Sequence, residues 1–360
     1  MKSKRLFREL LLAWHREKNK RVMPWKGEKD PYKVWLSEII LQQTRVEQGL
    51  PYYEKFIDRY PTITHLANAS EEEVFKVWEG LGYYTRCRNL LSTARIVTEN
   101  YAGTFPSDYD SILNLKGIGA YTASAVASFC FNLPHAVVDG NVLRVLSRFF
   151  GIHLAIDSAQ GKKIFTQLAQ ECLDKDQPGE YNQSIMDFGA TVCKPVPLCK
   201  QCPLNKKCVA FNSGTVADLP IKQKNIIKKE RWFSYFVFSF KDETYVQLRT
   251  EKDIWHNLYE FHLKETAADP EWNARKIKDW LELDLKIKAI KNIVVLSAKK
   301  QILTHQVIHG YFICVNINQK PLFNLSTKGV WLNNAEIKTK AFPKFIHQFT
   351  GREALQVQLL

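Results

Sequence analysis

Four cysteines, in the order Cys193-x5-Cys199-x2-Cys202-x5-Cys208, carry the clearest chemistry in this 360-residue chain. Thiolates this close in sequence can converge on one centre, and both tetrahedral zinc and a [4Fe-4S] cluster accept four of them. The spacing alone leaves both open. Lys194, Lys200, Lys206 and Lys207 lie among the ligands, where they could offset thiolate charge or face phosphates. Cys87, Cys130, Cys172 and Cys314 are scattered, so the pattern argues for a metal or cluster site rather than a disulfide framework.

Two acidic residues stand in settings that could tune them for catalysis. Glu38 lies in Pro31-Tyr32-Lys33-Val34-Trp35-Leu36-Ser37-Glu38-Ile39-Ile40-Leu41-Gln42-Gln43-Thr44. On a helix, Val34, Trp35, Leu41 and Gln42 share its face. A carboxylate inside an apolar stripe is costly unless paired or protonated, and desolvation raises its pKa, as a general acid requires. The plainer reading is a glutamate at the rim of a helix contact. Asp139 follows an apolar stretch in Ala136-Val137-Val138-Asp139-Gly140-Asn141-Val142. It reads either as a simple N-cap or as a carboxylate held at a helix mouth.

Two glycine turns could approach a ligand. In Leu115-Lys116-Gly117-Ile118-Gly119-Ala120-Tyr121-Thr122-Ala123, a helix is expected to end at Gly117 and another to begin after Gly119. Amides opening the second helix would suit a phosphate. Leu81-Gly82-Tyr83-Tyr84-Thr85-Arg86-Cys87-Arg88 sets aromatics beside arginines, which suits a base-stacking wedge or ordinary core packing.

The elements that must position these residues fall into two regions. Apolar residues recur at helical spacing around 6–14, 34–41, 56–66, 74–81, 122–131, 142–150 and 165–172. Turns are expected at Pro24, Gly82, Gly103-Thr104-Phe105-Pro106, Gly117-Ile118-Gly119 and Pro178-Gly179. The expected organisation is a helical domain over 1–211, a basic linker over 212–231 and a smaller α+β domain over 232–360. In the last region, 232–240 and 244–248 read as strands joined by Lys241-Asp242-Glu243. A helix is expected over 271–281, with further strands at 293–296, 311–317 and 330–332. The formal charge of +14 favours a polyanionic partner, nucleic acid first. There is no run of 18 apolar residues and no secretory leader pattern, so the chain is expected to be cytoplasmic.

In order, Pro24-Trp25, Trp35-Leu36-Ser37-Glu38, Leu41-Gln42-Gln43-Thr44, Leu81-Gly82-Tyr83-Tyr84, Leu115-Lys116-Gly117-Ile118-Gly119, Val138-Asp139-Gly140-Asn141-Val142, Asn182-Gln183, Met186-Asp187-Phe188-Gly189 and the four cysteines resemble the helix-hairpin-helix DNA glycosylases, most closely the MutY group. The resemblance covers nearly the whole chain. It implies a mainly α glycosylase domain with a [4Fe-4S] cluster loop, followed by a Nudix-like domain that recognises 8-oxoguanine. It implies a monomeric enzyme acting on duplex DNA that contains A:8-oxoguanine or A:G mispairs.

By the same resemblance, Glu38 matches the acid that protonates adenine at N7, and Asp139 the carboxylate that stabilises the oxocarbenium-like sugar. Tyr121 and Asn141 match positioning residues. Arg21, Trp25, Leu41 and Gln183 match the adenine pocket, and Gln43 and Tyr83 match groups inserted into the base stack. Gly117 and Gly119 match the phosphate-binding hairpin, and Cys193, Cys199, Cys202 and Cys208 the cluster ligands. Leu303-Thr304-His305 stands where the family has Phe-Ser-His, so Thr304 and His305 match the turn that meets 8-oxoguanine.

The chain also departs from the family. The first cysteine gap is five residues where the family has six. Trp255-His256-Asn257-Leu258 lacks the usual glycines, and no acidic Nudix-box run follows it. The pyrimidine-damage relatives carry a lysine nucleophile where this chain has Tyr121, which implies a monofunctional enzyme. The competing readings are a pyrimidine-damage glycosylase, which Tyr121 opposes, and a non-catalytic, cluster-bearing DNA binder, which would need neither Glu38 nor Asp139.

Overall fold

The structure is a computed structural model that describes residues 2–223, 227–321, 325–326, 328–347 and 349. The chain divides into two compact units, Met1–Ala69 with Arg88–Lys224 and Ser70–Cys87 with Asn225–Leu360.

Helices dominate the first 212 residues: α1 (Lys2–Lys18), α2 (Pro31–Leu41), α3 (Val46–Arg59), α4 (Ile63–Asn68), α5 (Glu71–Trp78), α6 (Tyr84–Asn100), α7 (Tyr109–Leu113), α8 (Ala120–Phe131), α9 (Gly140–Phe150), α10 (Ala159–Cys172), α11 (Pro178–Thr191) and α12 (Val209–Asn212). A core of Phe7, Leu11, Val142, Leu146, Phe165 and Phe188 ties α1, α9, α10 and α11 together. Among the described residues, no helix is long and apolar enough to cross a membrane.

Three local expectations shift. Pro178-Gly179 opens α11 instead of forming a turn. Proline fits a first helical position because its missing N–H has no intrahelical partner there. A Cβ on Gly179 would sit 2.8 Å from the Ser128 carbonyl oxygen, so the glycine permits close packing. The helix before the hairpin ends at Leu113, not at Gly117, with Asn114 as its C-cap. The residues around 56–66 form two helices, broken between Arg59 and Ile63, where Thr62 caps α4.

The second unit contains a seven-stranded sheet formed by β1 (Lys229–Phe240), β2 (Glu243–Leu248), β3 (Tyr259–Glu260), β4 (His262–Thr266), β5 (Ile290–Ile302), β6 (Gln306–Ile317) and β7 (Gly329–Asn333). The path runs β3-β2-β1-β6-β5, with β4 on β1 and β7 on β2. The β1–β6 pair is parallel and the other pairs are antiparallel. The first strand begins at Lys229, three residues before the expected Trp232.

From Trp232 onward strand β1 is mainly apolar because both faces are covered. Phe233, Tyr235 and Val237 pack with Phe312, Phe342 and Phe345. Phe236 and Phe238 pack on the other side with Ile277 and Leu281 of α13 (Ala274–Leu283). Two short helices, α14 (Asn334–Thr339) and α15 (Lys344–His347), complete the described chain.

Candidate active site

The first unit encloses a cavity of about 700 Å³ whose lining includes Glu38, Asp139, Tyr121 and Asn141. Arg21, Trp25, Leu41, Gln43 and Gln183 line it as well. Nine residues singled out in the sequence therefore meet around one space.

Helix α2 delivers Glu38. Asp30 caps it by accepting from the Tyr32 amide, and Pro31 occupies its first turn. Tyr32, Val34, Trp35, Leu36, Ile39 and Ile40 are buried, and only 6% of Glu38 is exposed. The Tyr121 hydroxyl, from the first turn of α8, donates to Glu38 Oε2 at 2.7 Å. Burial pushes the Glu38 carboxyl up to about 7, with the Tyr121 bond opposing the rise and the Asp139 charge adding to it. Burial likewise holds the Tyr121 phenol well above its usual value. A carboxyl that keeps its proton near neutral pH, with one oxygen already engaged, can donate from the other.

Asp139 satisfies both readings of its motif. It is the N-cap of α9, its Oδ1 accepting from the Val142 amide at 2.8 Å, and it also lines the cavity. Asn141 Nδ2 donates to Asp139 Oδ2 at 2.7 Å. Burial raises the Asp139 carboxyl, while the Val142 and Asn141 hydrogen bonds oppose that rise. A carboxylate fixed at both oxygens presents its charge without reorganising, as stabilisation of a developing cation requires.

Glu38 also imposes a stability cost. Its folded value lies above the ordinary 4.5, so the folded state holds a proton that the unfolded chain has released. Its contribution is fully present below about pH 4.5 and is lost as pH rises to about 7. Across that window wild type should lose about 3 kcal/mol relative to Glu38→Gln, measured by urea unfolding at a series of pH values. Parallel stability curves for the two proteins would contradict the raised value.

The hairpin glycines do not line the cavity. Gly117 has φ +78°, and a Cβ there would lie 2.6 Å from the Asn89 Cβ. Gly119 caps α8 in an extended conformation, with nothing within 4 Å of its Cβ direction. Gly117→Ala is expected to cost on the order of 1–3 kcal/mol in denaturant unfolding, through strain and the Asn89 clash together. Gly119→Ala should cost under about 1 kcal/mol.

Tyr83, Thr304 and His305 belong to the second unit. Tyr84 is buried, whereas Tyr83 is 48% exposed and has φ +51°. The Arg86 guanidinium lies 5.0 Å from the Tyr83 ring centroid. The Tyr83 hydroxyl is 3.2 Å from Thr304 Oγ1, and Thr304 and His305 are exposed in the β5–β6 turn. Trp255 and Asn257 have φ +62° and +64°, so the stretch without glycine still takes the backbone that glycine favours.

All four clustered cysteines are free and half-buried, and Cys193, Cys202 and Cys208 pack against the helical core. Burial pushes the Cys202 thiol up to about 12, and the charges of Cys193, Cys208 and Cys199 add to that rise. Among the described residues, no three His, Cys, Asp or Glu side chains form a group that could hold a metal ion. Arg148, 4% exposed, donates to the carbonyls of Lys194, Pro195 and Leu219 and lies 3.7 Å from Cys193 Sγ.

Sequence reasoning missed Asp187 and Lys26 as parts of this site. Asp187 is fully buried and binds Arg21 Nη1 at 2.9 Å and Lys26 Nζ at 3.0 Å. Its motif was visible, but its partners come from the distant loop before α2.

Residues 36–172 match the family model described as HhH-GPD superfamily base excision DNA repair protein. The chain is 33% identical over 331 residues to the adenine DNA glycosylase of Buchnera aphidicola subsp. Baizongia pistaciae, an alignment covering 91% of both chains. It is 42% identical over 214 residues to the adenine DNA glycosylase of Homo sapiens, covering 57% of this chain and 39% of that one. Among solved structures, a thermostable thymine-DNA glycosylase superposes with TM-score 0.55 at 29% identity, covering 59% of this chain and 98% of that one. Endonuclease III in a non-covalent DNA complex gives TM-score 0.51 at 20% identity, covering 59% and 97%, a likeness of fold. The helical glycosylase fold and the extent of these alignments lead to one assignment: the chain belongs to the adenine DNA glycosylase family and is a DNA N-glycosylase of base excision repair.

Proposed function

We propose that this enzyme removes adenine mispaired with 8-oxoguanine, or with guanine, from duplex DNA, by acid-assisted cleavage of the glycosidic bond of a flipped nucleotide. The observation that carries the reading is the pair of cavity-lining carboxylates, one raised to about 7 and one held at both oxygens.

In this reading Glu38 donates its proton to adenine N7, which makes the base a better leaving group. Tyr121 occupies Oε2 and leaves Oε1 to carry that proton. As the C–N bond lengthens, positive charge builds on the sugar, and Asp139 stabilises it, oriented by Asn141 and the Val142 amide. This is two-carboxylate glycoside chemistry applied to a nucleoside. Arg21, Trp25, Leu41 and Gln183 form the base pocket. Flipping costs a few kcal/mol, which Gln43 and Tyr83 offset by filling the vacated stack. Both residues are exposed and hold left-handed backbone conformations. Gly117, Gly119 and the α8 amides take a DNA phosphate. Thr304 and His305 meet the 8-oxoguanine. Tyr121 cannot form a Schiff base, so strand cleavage is not part of the reaction.

The donor set at Cys193, Cys199, Cys202 and Cys208 fits a [4Fe-4S] cluster, which would brace the loop they span. Four soft thiols with a buried guanidinium beside Cys193 suit an anionic cluster. The domain reading is likewise a proposal: 1–211 for catalysis, 212–231 as linker and 232–360 for recognition of the opposing base.

The test is single-turnover incubation with duplexes carrying adenine opposite 8-oxoguanine, guanine or thymine. Free adenine should appear from the first two, with strand breaks only after alkali. A wild-type enzyme that leaves adenine attached opposite 8-oxoguanine would overturn the reading.

A further inference from the structure

Asp187 stands behind the cavity wall, on α11. Its Oδ1 accepts from Arg21 Nη1 at 2.9 Å and from Gln183 Nε2 at 3.0 Å. Its Oδ2 accepts from Asn19 Nδ2 at 2.8 Å and from Lys26 Nζ at 3.0 Å. Arg21, Lys26 and Gln183 line the cavity, whereas Asp187 does not. An ionised carboxylate only accepts hydrogen bonds, so Gln183, one helical turn earlier, must turn its NH₂ toward Asp187. The amide oxygen is then the group left to meet a guest in the cavity.

We propose that Asp187 is a positioning residue that fixes the Gln183 amide with its oxygen toward the cavity, so that the pocket accepts a purine whose C6 substituent donates and rejects one whose C6 substituent accepts. This rests on the reading of the cavity as the adenine site. N7 and the C6 substituent lie side by side on one edge of a purine; adenine offers an amino donor there, and guanine a second acceptor. With a protonated Glu38 on N7, an amide oxygen beside it pairs with the adenine amine and faces the guanine oxygen lone pair to lone pair. Asp187 also offsets one of the two positive charges of Arg21 and Lys26, which lessens the repulsion of a base that has taken up a proton.

The experiment compares single-turnover release of adenine with release of unsubstituted purine, which lacks the amine, each opposite 8-oxoguanine. Wild type, Asp187→Asn, Gln183→Leu and the double variant are measured, and intrinsic reactivity cancels in the ratio of ratios. In Asp187→Asn either amide orientation finds a partner, so the adenine-to-purine ratio should fall about fivefold to tenfold. Gln183→Leu should lower it at least as far, and the double variant should match Gln183→Leu. If both substrates slow equally, or the ratio holds in Gln183→Leu, the assignment is overturned. Should Asp187→Asn fail to fold by thermal melting, Asp187→Asn/Lys26→Met removes one charge of each sign and carries the same measurement. Wild type that leaves adenine in place refutes the reading of the cavity; wild type that releases it, with an unchanged ratio in the variants, refutes only the role of Asp187.

Discussion

Glu38→Gln should release adenine 10²- to 10⁴-fold more slowly than wild type under single-turnover conditions, the usual contribution of a positioned general acid. Glutamine keeps an oxygen for the Tyr121 hydroxyl and nearly the same volume, so the pocket persists while the transferable proton is lost. The pH profile provides a second reading. The wild-type rate should fall above about pH 7, where the carboxyl raised by burial gives up its proton. It should also fall on the acid side, as Asp139 takes up a proton at a pH above the ordinary aspartate value. Glu38→Gln should abolish the alkaline limb and retain the acid one. A variant that kept both the wild-type rate and the alkaline limb would remove Glu38 from the chemistry.

Asp139→Asn should lose on the order of 10³ in the same assay, because a fixed charge opposite a developing cation has no neutral substitute. The variant separates chemistry from folding. Asparagine is as good an N-cap as aspartate, and its side-chain oxygen can still accept from the Val142 amide. Thermal stability should therefore stay close to wild type and duplex affinity within a few fold. A stable Asp139→Asn protein that cleaves within tenfold of wild type would reduce Asp139 to a cap.

Local pattern made much of this site legible. The apolar residues on both sides of Glu38 left a buried carboxylate and one at the rim of a helix contact both open, and its 6% exposure decides for burial, whereas Val138-Asp139-Gly140 announced a helix start. The sheet was legible where strands alternate or run apolar, as in β1, β2 and β6. Helix α11 was not, because Asn182, Ser184 and Asp187 are fully buried and break the apolar period. The hub around Asp187 was hidden for a related reason: Arg21, Lys26 and Asn19, which bind it, are drawn from a different stretch of chain. Strands β3 and β4 are too short to carry a period, and pairing with β2 and β1 holds them in place. The hairpin glycines were legible as a turn, but the end of α7 was not, since Asn114 stops a helix without a glycine or proline.

Residues 70–87 lie in the middle of the helical sequence but group with the sheet. Asn257 Nδ2 donates to Glu71 Oε1 at 2.8 Å, Lys340 Nζ lies 2.6 Å from Glu72 Oε1, and the Phe342 amide donates to Glu79 Oε1 at 2.9 Å. A fragment cut after Lys224 would keep every group that lines the cavity, yet it would leave α5 and the Tyr83 turn without these anchors. Such a fragment would retain the cutting chemistry while its grip on the opened duplex loosened, so catalytic competence and hold on DNA would part company at a cleavage point that looks harmless on the linear map.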